Sequence, residues 1–238
     1  MKKLSLILFA VTPLIFASCY KDVITGDGAV ITQSRGINNF AGIDLRISGD
    51  VYFKQDSVYK VEISAQQNIL DVTETFVSDN RLVIRFKNNV RVKSHDPIRV
   101  VVSGPSFTSL RISGSGNITG IGPLKPASME LDISGSGNIG LAELNSGFLD
   151  ADISGSGDVN VGTGAATEEK LRISGSGSID LSGVTATTVN TRTSGSGDVR
   201  VIVSKQLDVN ISGSGSVYYK GNPVINTSIS GSGKVIHF

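Results

Sequence analysis

Short stretches of alternating apolar and polar residues dominate the chain from residue 36 onward, and many of them flank the same tetrapeptide, Ser-Gly-Ser-Gly. In Leu110-Arg111-Ile112 before one copy and Asn117-Ile118 after it, apolar side chains occupy every second position. A period of two is typical of β-strands with one buried face. No helical pattern of useful length occurs outside the N-terminal segment. The pattern therefore predicts an all-β protein.

The tetrapeptide recurs at nearly constant intervals. Its seven copies begin 21, 20, 20, 20, 18 and 18 residues apart. One such unit cannot bury its own apolar face, so consecutive units are expected to stack as a parallel β-helix. Glycine permits the unusual backbone conformations of a corner, and stacked serine hydroxyls can hydrogen-bond one another there. The predicted structural corners are Ser113, Gly114, Ser134, Gly135, Ser154, Gly155, Ser174, Gly175, Ser194, Gly195, Ser212, Gly213, Ser230 and Gly231.

The residues predicted to lie inside the stack form two ladders, one on each side of the corner. Stacking places equivalent positions of successive units above one another, about 4.8 Å apart. Apolar side chains recur at one position before the corner and at one after it, so both positions are predicted to form the core. The ladder before the corner is Ile112, Ile133, Ile153, Ile173 and Ile211, and the ladder after it is Ile118, Ile139, Val159, Ile179, Val199, Val217 and Val235.

Residues 36–104 contain a degenerate form of the same pattern. The segment Leu45-Arg46-Ile47-Ser48-Gly49-Asp50-Val51 is a near copy of the unit with one Ser-Gly missing. We therefore predict one stack over residues 36–238, with degenerate rungs up to residue 104 and regular rungs in 105–238. A stack of about ten rungs would be roughly 50 Å long. A bent or two-lobed arrangement with a junction near Gly104-Pro105 is the alternative.

Several motifs upstream of the repeat, taken together with it, resemble a known family. These motifs are Gly36-Ile37-Asn38, Phe40, Ile43-Asp44-Leu45, Gly49, Val61-Glu62-Ile63 and Leu82-Val83-Ile84. The chain is similar to the putative auto-transporter adhesin head GIN domain family over most of its length. The resemblance implies an exported protein of a largely Bacteroidetes family, folded as a right-handed parallel β-helix. It implies no catalytic or binding residues, and family membership supports a fold more than a function.

Residues 1–18 have the composition of an export signal. Two lysines precede an apolar stretch over residues 4–17, which is short for a membrane span. The segment Phe16-Ala17-Ser18-Cys19 resembles a bacterial lipobox, and this resemblance implies cleavage before Cys19 and lipidation of that residue. An ordinary signal peptide with an incidental cysteine is the alternative.

Residues 19–35 lack apolar periodicity, and Gly26 and Gly28 add flexibility. We therefore predict a tether between a lipid-anchored Cys19 and the repeat. The predicted location is the cell envelope, as an outer-membrane lipoprotein. Display on the cell surface and on the periplasmic face both remain open.

Composition and charge argue against several classes of function. The chain has 22 basic and 21 acidic residues, a formal net charge of +1, which does not suit a nucleic-acid-binding protein. One cysteine cannot form an internal disulfide, and two histidines leave little for a catalytic or metal site. The position after each corner has too few acidic residues for a ladder of calcium sites, so we expect no metal and no cofactor. That position holds Asn117, Asn138, Asp158, Ser178, Asp198, Ser216 and Lys234.

One column of charged residues is a candidate surface ladder. Asp132 and Asp152 occupy equivalent outward positions on successive rungs, so their spacing is near the carboxylate separation of roughly 5 Å in retaining glycosidases. The arginines of the column favour ion pairs between rungs on a solvated face instead. The column reads Arg46, Arg111, Asp132, Asp152, Arg172, Arg192, Asn210 and Ser228, of which Arg111, Asp132, Asp152 and Arg172 are the candidate ladder.

The sequence thus predicts a non-enzymatic envelope lipoprotein whose β-helical surface serves in adhesion, by binding a glycan or a surface protein. A structural or scaffold role in the envelope is one alternative. A polysaccharide-active enzyme, which would depend on Asp132 and Asp152, is another. The predicted partners are the membrane, reached through the N-terminal lipid, and a glycan or surface protein; nucleic acid is not among them.

Overall fold

The protein is a parallel β-solenoid of about six turns, as described by a computed structural model that covers residues 22–238. The predicted all-β parallel β-helix is therefore confirmed. Within these residues the helical structure is one short segment, α1 (Gln67–Leu70). The predicted signal peptide and Cys19 lie outside the described residues.

The strands divide into an N-terminal group and the regular repeat. The N-terminal group is β1 (Asp22–Thr25), β2 (Val30–Ser34), β3 (Gly42–Leu45), β4 (Asp50–Gln55), β5 (Lys60–Gln66), β6 (Thr73–Ser78), β7 (Arg81–Phe86), β8 (Val90–Ser94) and β9 (Arg99–Gly104). The regular repeat is β10 (Ser109–Gly114), β11 (Asn117–Leu124), β12 (Ser128–Gly135), β13 (Asn138–Gly155), β14 (Asp158–Gly175), β15 (Ser178–Gly195), β16 (Asp198–Gly213), β17 (Ser216–Lys220), β18 (Val224–Gly231) and β19 (Lys234–His237).

Each turn of the repeat has one stretch before the corner and one after it, and each stretch pairs in parallel with its equivalent one turn away. Ile133 of β12 pairs with Ile153 of β13, and Ile139 of β13 pairs with Val159 of β14. In both pairs the partners are 20 residues apart, which is the repeat length in this part of the chain. The spacing of the tetrapeptide therefore reports the strand register directly.

Both predicted apolar ladders lie in the interior. From Ile112 to Ile211 the isoleucines before the corner are at most 2 % exposed, and Thr193 completes their column. The ladder after the corner is equally buried from Ile118 to Val217. Only Val235, in the last strand, is partly exposed. Stacked β-branched side chains thus fill the centre of the solenoid, where they are removed from water.

The corners are held by the backbone. The first glycine of every corner has a φ between 125° and 141°, a conformation that favours glycine strongly. The second serine donates its backbone N–H to the first glycine of the previous turn, as from Ser156 to the Gly135 carbonyl at 2.9 Å. The serine side chains themselves are exposed. Backbone hydrogen bonds between turns, rather than the expected stacking of hydroxyls, therefore connect the corners.

The N-terminal group does not continue the stack in chain order, so the predicted number of about ten successive rungs is wrong. β3 pairs in parallel with β10 and β7, and β4 pairs in parallel with β11 and β9, so neighbouring strands here are not consecutive in sequence. β5 runs antiparallel to β9, β2 antiparallel to β5, and β6 antiparallel to β7. These antiparallel strands close this end of the solenoid.

The core of the N-terminal group differs in kind from that of the repeat. Phe40, Phe53 and Phe107 are buried together, with the ring centroids of Phe53 and Phe107 4.6 Å apart. This aromatic cluster is continuous with the apolar ladders, and β2 to β7 belong to the same sheet as the repeat. The described residues thus form one continuous core, without the two-lobed arrangement at Gly104-Pro105.

Part of the segment predicted as a tether is paired into strands. β1 lies parallel to β8, and β2 lies antiparallel to β5. These strands bury little: Val23 is 59 % exposed and Val30 is 46 % exposed. A strand without a buried face has no periodic apolar pattern, which is why the sequence suggested a tether here.

Candidate functional site

Two outer faces of the solenoid carry files of polar side chains. We call the outer surface of the stretches that precede the corners the pre-corner face, and that of the stretches that follow them the post-corner face. On each face, alternate residues of a strand point outward, so equivalent residues form files along the stack. The pre-corner face contains the ladder that the sequence predicted.

The pre-corner face has two such files, set by the strand register. The file nearer the corner, two residues before it, is Arg111, Asp132, Asp152, Arg172, Arg192, Asn210 and Ser228. The file farther from the corner, four residues before it, is Ser109, Glu130, Asp150, Lys170, Asn190, Asp208 and Asn226.

The four residues of the predicted ladder are brought together and form ion pairs between turns. Arg111 Nε lies 2.8 Å from Asp132 Oδ2, and Arg172 Nε lies 2.7 Å from Asp152 Oδ2. Arg172 also reaches Asp150, with Nη2 2.9 Å from Oδ1. The hydrogen bonds that Arg111 and Arg172 donate to their carboxylate partners raise the pKa of both arginines above the ordinary value. Asp132 and Asp152 are thus each engaged by an arginine, an arrangement different from a pair of free catalytic carboxylates.

Arg46 does not belong to this column, contrary to the expectation from sequence. The residue beside Arg111 is Asp44, and Arg46 instead donates from Nη2 to Asp44 Oδ2 at 2.6 Å. The register aligns Leu45 with Ile112 and Asp50 with Asn117, so Ser48-Gly49 corresponds to the second Ser-Gly of a corner. Arg46-Ile47 stand in place of the first Ser-Gly, which shifts the sequence alignment by two residues.

Arg192 is the arginine of this file that has no neighbouring carboxylate in register. Its register neighbours are Arg172 on one side and Asn210 on the other. The ion pairs found within residues 22–238 do not include it. Its guanidinium is therefore available to a ligand, whereas those of Arg111 and Arg172 are occupied.

Arg192 lies at the edge of a shallow depression of about 380 Å³ that spans three turns. The six side chains that point outward here are polar, and we call them the Arg192 surface: Asn190, Arg192, Asp208, Asn210, Asn226 and Ser228. Asp208 accepts hydrogen bonds from Gln206 Nε2 at 2.7 Å and Asn226 Nδ2 at 2.8 Å, which fixes its carboxylate. The sequence repeat gives the file that contains Arg192, Asn210 and Ser228, but it does not distinguish them from the rest of that file.

The post-corner face carries a hydrogen-bonded ladder of planar side chains. Asn117 Nδ2 donates to Asp50 Oδ1 at 2.8 Å, and Asn138 Nδ2 donates to Asn117 Oδ1 at 2.9 Å. Farther along, the backbone N–H of Ser178 donates to Asp158 Oδ1 at 2.9 Å. Within the described part of the chain, no three His, Cys, Asp or Glu side chains cluster as a metal site.

The sequence model of one family matches most of the repeat and the N-terminal group. That family is the putative auto-transporter adhesin, head GIN domain, and its model matches residues 39–223. The chain belongs to this family. The resemblance found in the sequence is therefore confirmed, and membership places the chain among adhesin-like proteins.

Solved structures similar to this chain come from Bacteroides and Parabacteroides species. A putative adhesin of Bacteroides fragilis is 24 % identical, with a TM-score of 0.83 over 90 % of this chain and all of that one. A putative adhesin of Parabacteroides merdae is 24 % identical, with a TM-score of 0.74 over 91 % of this chain and 99 % of that one. A protein of Parabacteroides distasonis called a putative lipid binding protein is 25 % identical, with a TM-score of 0.75 over 91 % of this chain and all of that one. No curated protein matches the sequence.

The core of this head GIN domain contains an acidic residue that was not predicted from the sequence to be buried. Glu169 is fully buried, between Leu149 and Val189 in adjacent turns, and neither of its carboxylate oxygens has a hydrogen-bond partner. Burial raises the pKa of Glu169 to about 8. The available signal was the 20-residue spacing, which places Glu169 in an otherwise apolar column.

In residues 22–238, no helix has the length and apolar character needed to cross a membrane.

Proposed function

We propose that this head GIN protein is a non-enzymatic lipoprotein of the bacterial envelope that binds carbohydrate through the Arg192 surface. The adhesin-like family supports a role at the cell envelope. The N-terminal apolar segment and Cys19 support export and lipid anchoring. The structural neighbours are named differently, one as an adhesin and one as a lipid binding protein. We therefore infer the class of ligand from the chemistry of the surface residues.

The observation that carries the proposal is the grouping of planar polar side chains in the depression. Asn190, Asn210 and Asn226 offer amide donors and acceptors, Asp208 offers acceptors, and Arg192 offers charged donors. Sugars present adjacent hydroxyl groups that need paired donors and acceptors. A planar guanidinium also recognises a carboxylate with two parallel hydrogen bonds, which favours sugars that carry an acidic group.

The stack adds regularity to this chemistry. Neighbouring turns repeat at the spacing of β-strands, about 4.8 Å, so donors and acceptors recur along the axis in a rigid array. A linear chain of similar units, such as a polysaccharide, can contact several turns at once. Repeated weak contacts along one ligand raise the overall affinity without a deep cavity.

The proposal is tested by glycan binding with matched variants. The full-length protein in detergent is applied to an array of bacterial and host glycans, including uronic-acid and sialic-acid sugars. We expect saturable binding that Arg192→Ala combined with Asn210→Ala weakens by at least about tenfold. The matched control is Arg111→Gln with Asp132→Asn, which removes an ion pair on the same face and should leave binding unchanged.

Two outcomes would contradict the proposal. One is the absence of saturable binding to any glycan, which would favour the scaffold alternative if an envelope protein is captured reproducibly. The other is an equal loss of binding in the Arg192 variant and in the Arg111 control. Mass spectrometry of the glycans after long incubation also checks the enzymatic alternative, because cleavage products would reveal catalysis.

A further inference from the structure

The post-corner face contains a second depression, distinct from the Arg192 surface. It has a volume of about 360 Å³, and its walls include Tyr52, Asn138, Asp158 and Asn160. The strand register places Tyr52, Thr119, Gly140 and Asn160 in one file on four successive layers. The depression therefore has an aromatic ring at one end and amide and carboxylate groups around it.

Tyr52 is held in place by an arginine behind it. Arg99 lies over the ring, with its guanidinium carbon 4.5 Å from the ring centroid, in a cation–π contact. Arg99 belongs to β9, which pairs with β4 on the side opposite β11. The ring is half-buried and lines the depression on the β11 side. Arg99 thus supports the ring from one side and leaves its other side to the depression.

Gly140 leaves the floor of the depression open. A Cβ atom at this position would meet no atom within 4 Å, and the φ of Gly140 lies outside the left-handed region. The fold therefore does not require glycine here, in contrast to Gly157 and Gly177, where a Cβ atom would collide with the backbone of the previous turn. The missing side chain creates a gap between Thr119 and Asn160.

The polar wall is fixed by the ladder of planar side chains. Asn138 donates to Asn117 and accepts at Oδ1 from the backbone N–H of Asp158, at 3.1 Å. Asn117 donates in turn to Asp50. Because each amide is held by its neighbours, the remaining acceptors of Asp50 and Asp158 point from rigid positions. The carboxylates of Asp50 and Asp158, both in the wall of the depression, make this site unfavourable for an anionic ligand.

We propose that this depression binds a neutral disaccharide, with an apolar face of one pyranose ring against Tyr52 and hydroxyls of the other ring on Asn138, Asp158 and Asn160. An aromatic ring with a few oriented polar groups around an open floor is the common composition of a small-ligand site. This site uses other residues and another face than the Arg192 surface. The two proposed sites can therefore be tested independently of each other.

The absence of tryptophan from the chain makes the test direct. Tyr52→Trp introduces a single indole at the proposed stacking position, in the full-length protein. The disaccharides cellobiose, lactose, maltose and N,N′-diacetylchitobiose are titrated to millimolar concentrations, and indole emission is recorded. We expect a saturable change with at least one of them. No change with any of the four sugars would overturn the proposal.

Gly140→Thr is the blocking variant, because threonine suits a strand and copies Thr119 of the adjacent turn. In the Tyr52→Trp background it should weaken binding by at least about tenfold while the melting temperature stays unchanged. Arg192→Ala should leave this binding intact. Retention of full affinity in Gly140→Thr would overturn the assignment even if a fluorescence change is seen. If replacing Tyr52 perturbs the fold, isothermal titration calorimetry of Gly140→Thr against the parent protein, both with Tyr52, makes the same comparison.

Discussion

Glu169 places a carboxyl group in the apolar interior, one turn from Leu149 and one turn from Val189. Because its oxygens lack hydrogen-bond partners there, the group lowers the stability of the folded chain. We predict that Glu169→Leu, which copies the residue of the previous turn, raises the free energy of unfolding at pH 7 by about 2 kcal/mol or more. Chemical denaturation of the full-length protein measures this change. A stability equal to or below that of the parent would contradict it.

The same residue makes stability depend on pH. The pKa of Glu169 is raised to about 8 in the folded chain, whereas its value in the unfolded chain is near 4.5. Between these values the unfolded state releases a proton that the folded state keeps, so stability falls as pH rises, by up to about 1.4 kcal/mol per pH unit. Below pH 4.5 this penalty is absent, and above pH 8 it is constant.

Glu169→Gln is the matched control for the pH effect. Glutamine has nearly the same shape and also buries polar atoms, but it does not titrate. It should therefore remove the pH dependence between pH 5 and 8 that is due to this position, without the full gain in stability of Glu169→Leu. An unchanged pH profile in both variants would show that Glu169 does not titrate as the structure indicates.

At the scale of the element, the corner depends on its glycines more than on its serines. A Cβ atom at Gly177 would collide with the Gly157 carbonyl and lie 2.9 Å from Ile153 Cγ2. We predict that Gly177→Ala destabilises the protein by more than about 2 kcal/mol. Ser176→Ala, at the exposed neighbour, should change stability by less than about 0.5 kcal/mol. Thermal unfolding measures both.

Gly140→Ala is the control for the substitution itself, because the same change there meets no atom. It should be neutral or slightly stabilising, since alanine loses less backbone entropy than glycine. Similar losses of stability in Gly177→Ala and Gly140→Ala would mean that steric contact between turns is not the reason why the corners require glycine.

The ladders provide a second test at this scale. Ile153 is fully buried, whereas Ile229 occupies the same column in the last turn and is 43 % exposed. Ile153→Asp buries an unpaired charge and should cost several kcal/mol, sufficient to prevent folding of a marginal domain. Ile229→Asp should cost much less, because water reaches that side chain. Circular dichroism and urea unfolding separate the two, and equal losses would refute the assignment of the inside.

The sequence predicts an element well when a few neighbouring residues determine that element. The corners and both ladders were predictable because each turn repeats the same backbone requirement at a fixed spacing. The column at Arg46 was not predictable, because Arg46-Ile47 replace one Ser-Gly and no neighbouring residue indicates that the alignment shifts by two positions. The Arg192 surface could be predicted only in part, since the sequence gives the residues of the column but not which of its arginines form ion pairs with carboxylates.

At the scale of the molecule, the two ends of the solenoid are built differently, and this too was hidden in the sequence. The N-terminal strands pair out of sequence order and partly antiparallel, with Phe40, Phe53 and Phe107 in their core. Strand patterns alone do not specify which distant strand is the neighbour. The prediction of one continuous stack over residues 36–238 therefore gave about ten rungs, where the solenoid has about six turns.

The position of β1 relates the predicted anchor to the binding surface. β1 begins at Asp22, three residues after Cys19, so the chain can separate the Cα atom of Cys19 from β1 by at most roughly 11 Å. Arg192 lies on β15, five strand spacings or roughly 24 Å along the stack from β3. An anchor at Cys19 therefore holds the N-terminal end near the membrane and leaves the Arg192 surface farther along the stack.

Adhesion requires that this surface face the cell exterior, which a single new thiol can report. The chain has one cysteine, the predicted lipid site, so Ser214→Cys on an exposed corner adds a unique reactive group. We predict that a membrane-impermeant maleimide labels it on intact cells. Ser94→Cys on β8 serves as the membrane-proximal control, and a periplasmic protein with a free thiol should stay unlabelled. Labelling of Ser214→Cys only after the outer membrane is permeabilised would place the protein on the periplasmic face, where an adhesive role fails and a role within the envelope takes its place.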